Sequence, residues 1–324
     1  MAITRALDSN RNQIHKGHIR MLKLNRILKA IFSEKYRWHL LSLSPLIAFL
    51  FIFTLLPISN VVLMSFFNVE WSHGASVWEF VGFSNYKDLP GNRFYIPGII
   101  NTIIFAVIAV IFQMIIGFFL ALMVSKITRG RVIFITVFLL PILIPPIVIG
   151  SIWKLMYGFD FGVINQITAL FGIFPKDWLG SKELALMSVI IVDIWHWTPF
   201  VFLLLLAGIE SLPEDVYEAA TVDGVSQWNQ VKHITLPLLM STLIVTMIFR
   251  IVVAFKVFDE IYLLTSGGPG TATEVLSFSI YRTFFNEDRV GMGSAMSIGA
   301  LFLVSILTVM AILLSRRRTE WKNA

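Results

Sequence analysis

Cysteine is absent from all 324 residues, which excludes disulfides, thiolate catalysis and thiolate-held metals without fixing the compartment. Charge is scarce as well. Asp, Glu, Lys and Arg make up 14% of the chain, against about 25% in ordinary soluble domains. A soluble enzyme of this length does not fit so little charge. No GxxxxGK[ST] phosphate loop occurs anywhere, so no such nucleotide site is expected on this chain. Alternating ten-residue barrel strands are lacking too, as are internal repeats, low-complexity segments and any convincing Ser/His/Asp or paired-carboxylate set.

What is present is apolar and long. Leu40–Val69 runs 30 residues without a formal charge, Phe94–Ser125 runs 32, Val132–Trp153 22 and Val290–Ser315 26. Each exceeds the roughly 20 residues a helix needs to cross a bilayer. Two further apolar stretches, about 184–209 and 238–264, are interrupted by charge. An open sheet would leave its backbone unpaired in lipid. The expected fold is therefore an all-α integral membrane protein with six transmembrane helices.

The net charge of +6 is unevenly spread: residues 1–38 hold nine Lys/Arg against two acids. The excess is an N-terminal tail, not a nucleic-acid-binding face, and no nucleic-acid partner is expected. With the N-terminus inside, the tail, the 125–131 and 210–237 loops and the C-terminus carry 17 basic residues, and the three opposite loops carry seven. Basic residues accumulate on the cytoplasmic side, so both termini are expected there. The tail is too long and polar before its first apolar run to be a cleavable signal peptide. Within it Met21, Leu24, Ile27, Leu28, Ile31 and Phe32 share one helical face. That suits either a helix on an anionic inner leaflet or a partly ordered tail that sets topology. The organisation that follows is a basic segment 1–38, a six-span domain 39–315 with a cytoplasmic loop 210–237, and a tail 316–324.

The 210–237 loop is unusually well punctuated. Ser211 with Glu214 has capping-box spacing, Pro213 suits a first turn, and Gly224 suits a left-handed stop. Together they predict a helix of about 12 residues, roughly 18 Å long. A second short helix is expected from Ser226 toward Leu236-Pro237. A solvated connector needs none of this.

Charges inside the spans form a second constellation, because ionisable groups at membrane depth usually face a cavity or one another. Arg250 in the fifth span and Asp193 in the fourth both fall near the midplane. They are either a mutual ion pair joining two helices or groups in a substrate path. His196, Trp197 and Phe200 share the stretch with Asp193. Aromatic faces serve as sugar platforms, while Trp also anchors helices at interfaces; the depth of Trp197 favours a cavity role. His196 has no metal-ligand partner at useful spacing, and His15 and His18 sit in the basic tail, so no metal is expected.

Glu218-Ala219-Ala220, Asp223-Gly224, Ile234 and Leu236-Pro237 resemble the EAA loop of permease subunits in binding-protein-dependent ABC importers. The resemblance extends to Trp195, Pro199 and Phe200, to Phe258-Asp259, Ile261-Tyr262 and Gly267-Gly268-Pro269, and to Phe80-Val81-Gly82-Phe83-Ser84-Asn85-Tyr86. Together these are similar to the first permease of carbohydrate importers of the maltose and glycerol-phosphate type, over about residues 40–315. Departures are mild: Val225 stands where Ala is usual, Trp228 where Phe is usual and Ser241 where Pro is common.

The resemblance implies a type I ABC importer permease fold in a bacterial inner membrane. Such a chain translocates sugar but is not an enzyme. It pairs with a second, homologous permease and receives sugar from an extracytoplasmic binding protein. It carries no cofactor, since ATP and magnesium belong to two separate ATP-binding subunits. Glu218, Ala219, Ala220, Asp223 and Gly224 would form the coupling helix that docks on such a subunit. Asp193, His196, Trp197, Phe200 and Arg250 would lie where sugar contacts come from the fourth and fifth spans. A buried guanidinium grips carboxylates bidentately, so Arg250 tilts the expected cargo toward an acidic oligosaccharide such as alginate, unless Asp193 neutralises it. An ion-coupled secondary transporter is the alternative, but such carriers commonly show repeated halves, which are not found here.

Overall fold

The computed structural model describes residues 34–72 and 75–320; the tail segment read as either a surface helix or a partly ordered stretch, with His15 and His18, lies outside them. The described chain divides into two units, one ending at Val61 and the next beginning at Val62. The first carries α1 (Glu34–Leu50), from which a π-helical turn, Phe51–Leu55, leads into α2 (Leu56–Met64). Leu41–Met64 is long and apolar enough to cross a membrane.

The uncharged run beginning at Leu40 does not stay helical to its end. At Phe67 it turns into an antiparallel hairpin of β1 (Phe67–Ser72) and β2 (Ala75–Phe80), in a register that sets Phe67 opposite Phe80 and Val69 opposite Trp78. Aromatic and β-branched residues favour such pairing. A short helix, α3 (Ser84–Asp88), follows, and then α4 (Tyr95–Ser125).

The third apolar run was expected as one helix but forms two, α5 (Arg131–Leu143) and α6 (Pro146–Met156), bent by 92°. The sequence Ile144-Pro145-Pro146 explains the bend. Proline removes backbone donors and drives the preceding residue out of the helical region, and Ile144 is extended at φ −83°, ψ 129°. Beyond α7 (Val163–Leu170) comes α8 (Ala185–Glu210), then α9 (Glu214–Val222) and α10 (Gln227–Gln230).

Leu236-Pro237 does not end the second loop helix as expected. A π-helical turn, Val231–Thr235, carries α10 directly into α11 (Leu236–Ala254), and Gln227–Ala254 is one candidate span. Pro237 falls in the first turn of α11, where its missing N–H does least harm. The span also stops ten residues before the expected end at 264: Phe255–Phe258 breaks it, and α12 (Asp259–Leu264) lies beyond. After α13 (Leu276–Tyr281), α14 (Val290–Glu320) closes the described chain, with Val290–Met310 as its candidate span. Five helices among the described residues could cross a membrane, and six if the bent pair counts as one span.

The core is the seam between α4 and α8. Phe105, Ala109 and Val110 pack with Val189, Ile190 and Val192, and farther along Phe118 and Ala121 pack with Val201, Phe202 and Leu205. Gly117 sets how closely the helices approach: a Cβ there would stand 2.8 Å from Val201 Cγ1 and 3.0 Å from the Phe202 backbone nitrogen. Small residues permit such contact where lipid offers no hydrophobic drive between helices.

Candidate functional site

Asp193 on α8 and Arg250 on α11 meet in the interior. Arg250 Nη2 lies 3.3 Å from Asp193 Oδ2, and the two residues are 0% and 2% exposed. Between them sits Gln113 of α4, which the charge-based sequence reading passed over. Its Nε2 donates to Asp193 Oδ2 at 2.8 Å and to Asp193 O at 3.0 Å, while its Oε1 accepts from Arg250 Nε at 2.9 Å. One amide thus donates to the carboxylate and accepts from the guanidinium, tying three spans together. A signal existed: Gln113 is the only strongly polar side chain from Ile103 to Val124. The guanidinium carbon lies 4.5 Å from the centre of the Trp197 ring, close enough for a cation–π contact. Arg250 Nη1 alone finds no hydrogen-bond partner.

One turn away on α8, His196 is buried and its Nδ1 lies 3.2 Å from Glu260 Oε1 on α12. Sequence spacing gave His196 no partner, because the contact spans 64 residues. Trp197 and Phe200 are half-buried, and Phe200 stacks on Phe249 of α11 at 5.0 Å. The structure therefore gathers Asp193, His196, Trp197, Phe200 and Arg250 in one neighbourhood and adds Gln113, Glu260 and Phe249. No group of three or more His, Asp or Glu able to hold a metal occurs among the described residues.

The second candidate is α9 and its flanks. Its N-terminus departs from the expected capping box. Pro213 occupies the cap without a side-chain hydrogen bond, and Ser211 Oγ instead donates backward to Gly208 O at 2.8 Å. Ser211 still belongs to the end of α8, so α9 is nine residues long and not about 12. Its C-terminus follows the sequence reading. Gly224 has φ +71°, its N–H donates to Thr221 O at 3.1 Å, and Val225 N–H donates to Ala220 O at 2.9 Å. That pair of bonds is a Schellman stop, which needs a left-handed residue where Gly224 stands. Ser226 caps the next helix by accepting from Asn229 N–H at 3.4 Å.

Ala220 faces inward, and Tyr217 Oη donates to Thr235 Oγ1 at 3.0 Å, pinning α9 to the π-helical turn. Glu218, Ala219, Asp223 and Gly224 are exposed, as are Glu214 and Asp215. These four acids have no ion-pair or side-chain hydrogen-bond partner among the described residues. Val222 stands 88% exposed beside them, with Trp228 close in sequence and 64% exposed. Behind α9 a cavity of about 570 Å³ is lined by Lys126, Arg131, Glu210, Tyr217, Glu218 and Gln227, among others. Arg131 pairs with Glu210 across it, and Lys126 Nζ donates to Gln227 Oε1 at 3.0 Å.

At the opposite end of α8, outside the spans, Glu274 is fully buried. Its Oε1 accepts from Ser279 Oγ at 2.9 Å, and Arg282 Nη2 lies 3.3 Å from its Oε2. Burial pushes its carboxyl up to about 7, against the opposing pull of Arg282 and Ser279.

Known proteins place this geometry. The family model for the binding-protein-dependent transport system inner membrane component matches residues 113–319, a range that includes Gln113, Asp193, α9 and Arg250. The chain is 36% identical to the trehalose/maltose transport system permease protein MalF of Thermococcus litoralis, over 91% of this chain and 99% of that one. It is 30% identical to the sulfoquinovosyl glycerol transport system permease protein SmoG of Agrobacterium fabrum, over 86% and 90%. A chain in the crystal structure of a bacterial alginate ABC transporter, in complex with an alginate pentasaccharide-bound periplasmic protein, superposes with a TM-score of 0.79. It shares 26% identity and covers 91% of this chain and 98% of its own. The match to the family model and the full-length relatives agree: the chain belongs to the family of inner membrane components of binding-protein-dependent transport systems.

Proposed function

We propose that the chain is the permease subunit of an ATP-driven oligosaccharide importer, coupled to separate ATPase subunits through α9. The observation that carries this reading is a short, firmly ended helix whose acids and Val222 face solvent, the acids without partners among the described residues. Exposed apolar side chains among unpaired charges mark a surface built for another protein. Glu218 offers its charge to a basic residue of the ATPase, where ATP and magnesium reside. A second permease completes the pore, and a soluble binding protein delivers the cargo from outside. The N-terminus, the 210–237 loop and the C-terminus lie in the cytoplasm, which an impermeant thiol reagent tests. Cysteine at Ser226 should stay unlabelled from outside and cysteine at Ser84 should react; the reverse pattern would invert the topology.

The cargo is an oligosaccharide of the kind named for the relatives, and an acidic one on the example of the alginate transporter. Trp197 and Phe200 present half-buried aromatic faces to its path. Asp193 and Arg250 stand behind them and hold the wall in place. The ion-coupled carrier is not favoured, because Asp193 is already engaged by Arg250 and Gln113 and offers no free carboxylate to a driving ion. Co-purification decides between the two. A tagged chain should bring down an ATPase and a second permease, and reconstituted uptake should require ATP. Uptake that follows a proton or sodium gradient without ATP would overturn the proposal.

A further inference from the structure

Arg250 has its charge matched by Asp193, so the pore interior does not present a free cation to an acidic cargo. Lys and Arg without an ion pair are common on the exposed faces of the described residues, and two of them, Arg93 and Lys182, share one cavity. A cavity of about 360 Å³ at the end of α8 away from α9 is lined by Arg93, Lys182 and the loop Pro269-Gly270-Thr271-Ala272. Neither cation has an ion-pair partner among the described residues. Neither Glu183, which accepts from Ser181 Oγ at 2.8 Å, nor Asp177, which accepts from Gly180 N–H at 2.8 Å, lines the cavity. Arg93 lies two residues before the N-terminus of α4, whose dipole adds positive potential at this end.

The loop that shares the cavity with the cations is firmly built. Asn101 Nδ2 donates to Thr271 O and to Glu274 O, each at 2.9 Å, and Thr273 Oγ1 donates to Gly268 O at 2.7 Å. Gly270 has φ +65°, and a Cβ there would stand 3.9 Å from Lys182 Cε, so the lysine stem runs across a position without a side chain.

We infer that this cavity is an anion subsite at the outer mouth, which takes a carboxylate of an acidic oligosaccharide before it reaches the spans. The inference rests on the importer reading and adds where acidic cargo is recognised. A concave site of this volume falls in the range of small-ligand pockets, whereas a protein surface would call for a broader, flatter face. Exposed cations attract a carboxylate modestly and in a salt-dependent way, which suits a site the cargo must also leave.

The test uses the assembled permease and ATPase complex in nanodiscs, without binding protein. Free trigalacturonate and maltotriose are the probes, and saturation-transfer NMR is the readout. Wild type should transfer saturation to the uronate and not to the neutral sugar. R93Q/K182Q should weaken uronate binding roughly five- to tenfold, and 0.5 M salt should do the same to wild type. With binding protein added, the variant should raise KM for the acidic cargo alone and leave kcat unchanged. A uronate signal that survives in R93Q/K182Q, or no uronate signal in wild type, overturns the subsite even if ATP-driven uptake of oligosaccharide is intact. A variant that raises KM equally for both cargoes would place the anion on the binding protein and also overturn it. Loss of all ATP-driven uptake by wild type would instead remove the importer reading.

Discussion

Arg250 is fully buried and directs Nε at Gln113 and Nη2 at Asp193, whereas Glu214, Asp215, Glu218 and Asp223 around α9 stand in solvent with no ion pair among the described residues. The contrast follows from solvent. A charge inside low-dielectric surroundings must be matched within the chain or it destabilises the fold, so the clamp is complete in itself. A solvated carboxylate needs no partner to be stable, and its surface stays free for a second protein. One cluster holds helices together; the other, on the proposed function, is the surface offered to an ATPase.

Breaking the clamp should have the largest effect. Asp193→Leu or Arg250→Leu alone leaves an uncompensated buried charge and should destabilise the chain by about 3–5 kcal/mol. The double variant should recover much of that loss, as read from unfolding midpoints in detergent. Additive losses in the double variant would show that the two charges do not depend on each other. Arg250→Gln should reduce transport of acidic and neutral oligosaccharides alike, since the native charge is matched by Asp193; loss confined to the acidic cargo would move Arg250 into direct contact with it.

The loop should behave oppositely. Glu218→Lys should abolish ATP hydrolysis stimulated by loaded binding protein yet shift stability by no more than about 0.5 kcal/mol. Gly224→Pro removes both the left-handed residue and a donor to Thr221, so it should uncouple as well while the chain still inserts. Stimulated turnover that survives both variants would reduce α9 to a connector.

Glu274 lies between these extremes, buried but outside the spans. Its folded-state pKa is raised from 4.5 to about 7, so the folded state binds its proton more tightly than the unfolded chain does. The contribution is complete at low pH and is lost as pH rises through about 7. Arg282 and Glu287 are the charges that face it. The unfolding midpoint of wild type should fall between about pH 5 and about pH 8, and Glu274→Gln should flatten that slope. The smallest change belongs to Ser226→Ala, which should cost about 0.5 kcal/mol, the low end for a cap, because its bond to Asn229 is long at 3.4 Å.

Local rules made much of this chain legible in advance. Uncharged runs announced the spans because length and lipid solubility are properties of a segment by itself. The stop at Gly224 was legible because a Schellman turn closes within six residues. Local rules misled where a neighbour competed. Ser211 had capping-box spacing, yet it caps the C-terminus of α8 and turns its hydroxyl back to Gly208. Leu236-Pro237 looked like a stop, yet a π-helical turn carries the helix past it.

Hydropathy, charge bias and helix ends depend on nearby residues alone, and they suffice to specify a polytopic helical membrane protein with a punctuated loop. That Asp193 meets Arg250 with Gln113 joining both, that His196 meets Glu260, and that Arg93 and Lys182 share one cavity came from packing. Those partners lie far apart in the chain, and which of them come together is fixed by how the helices and their connecting loops pack, not by any spacing along the sequence.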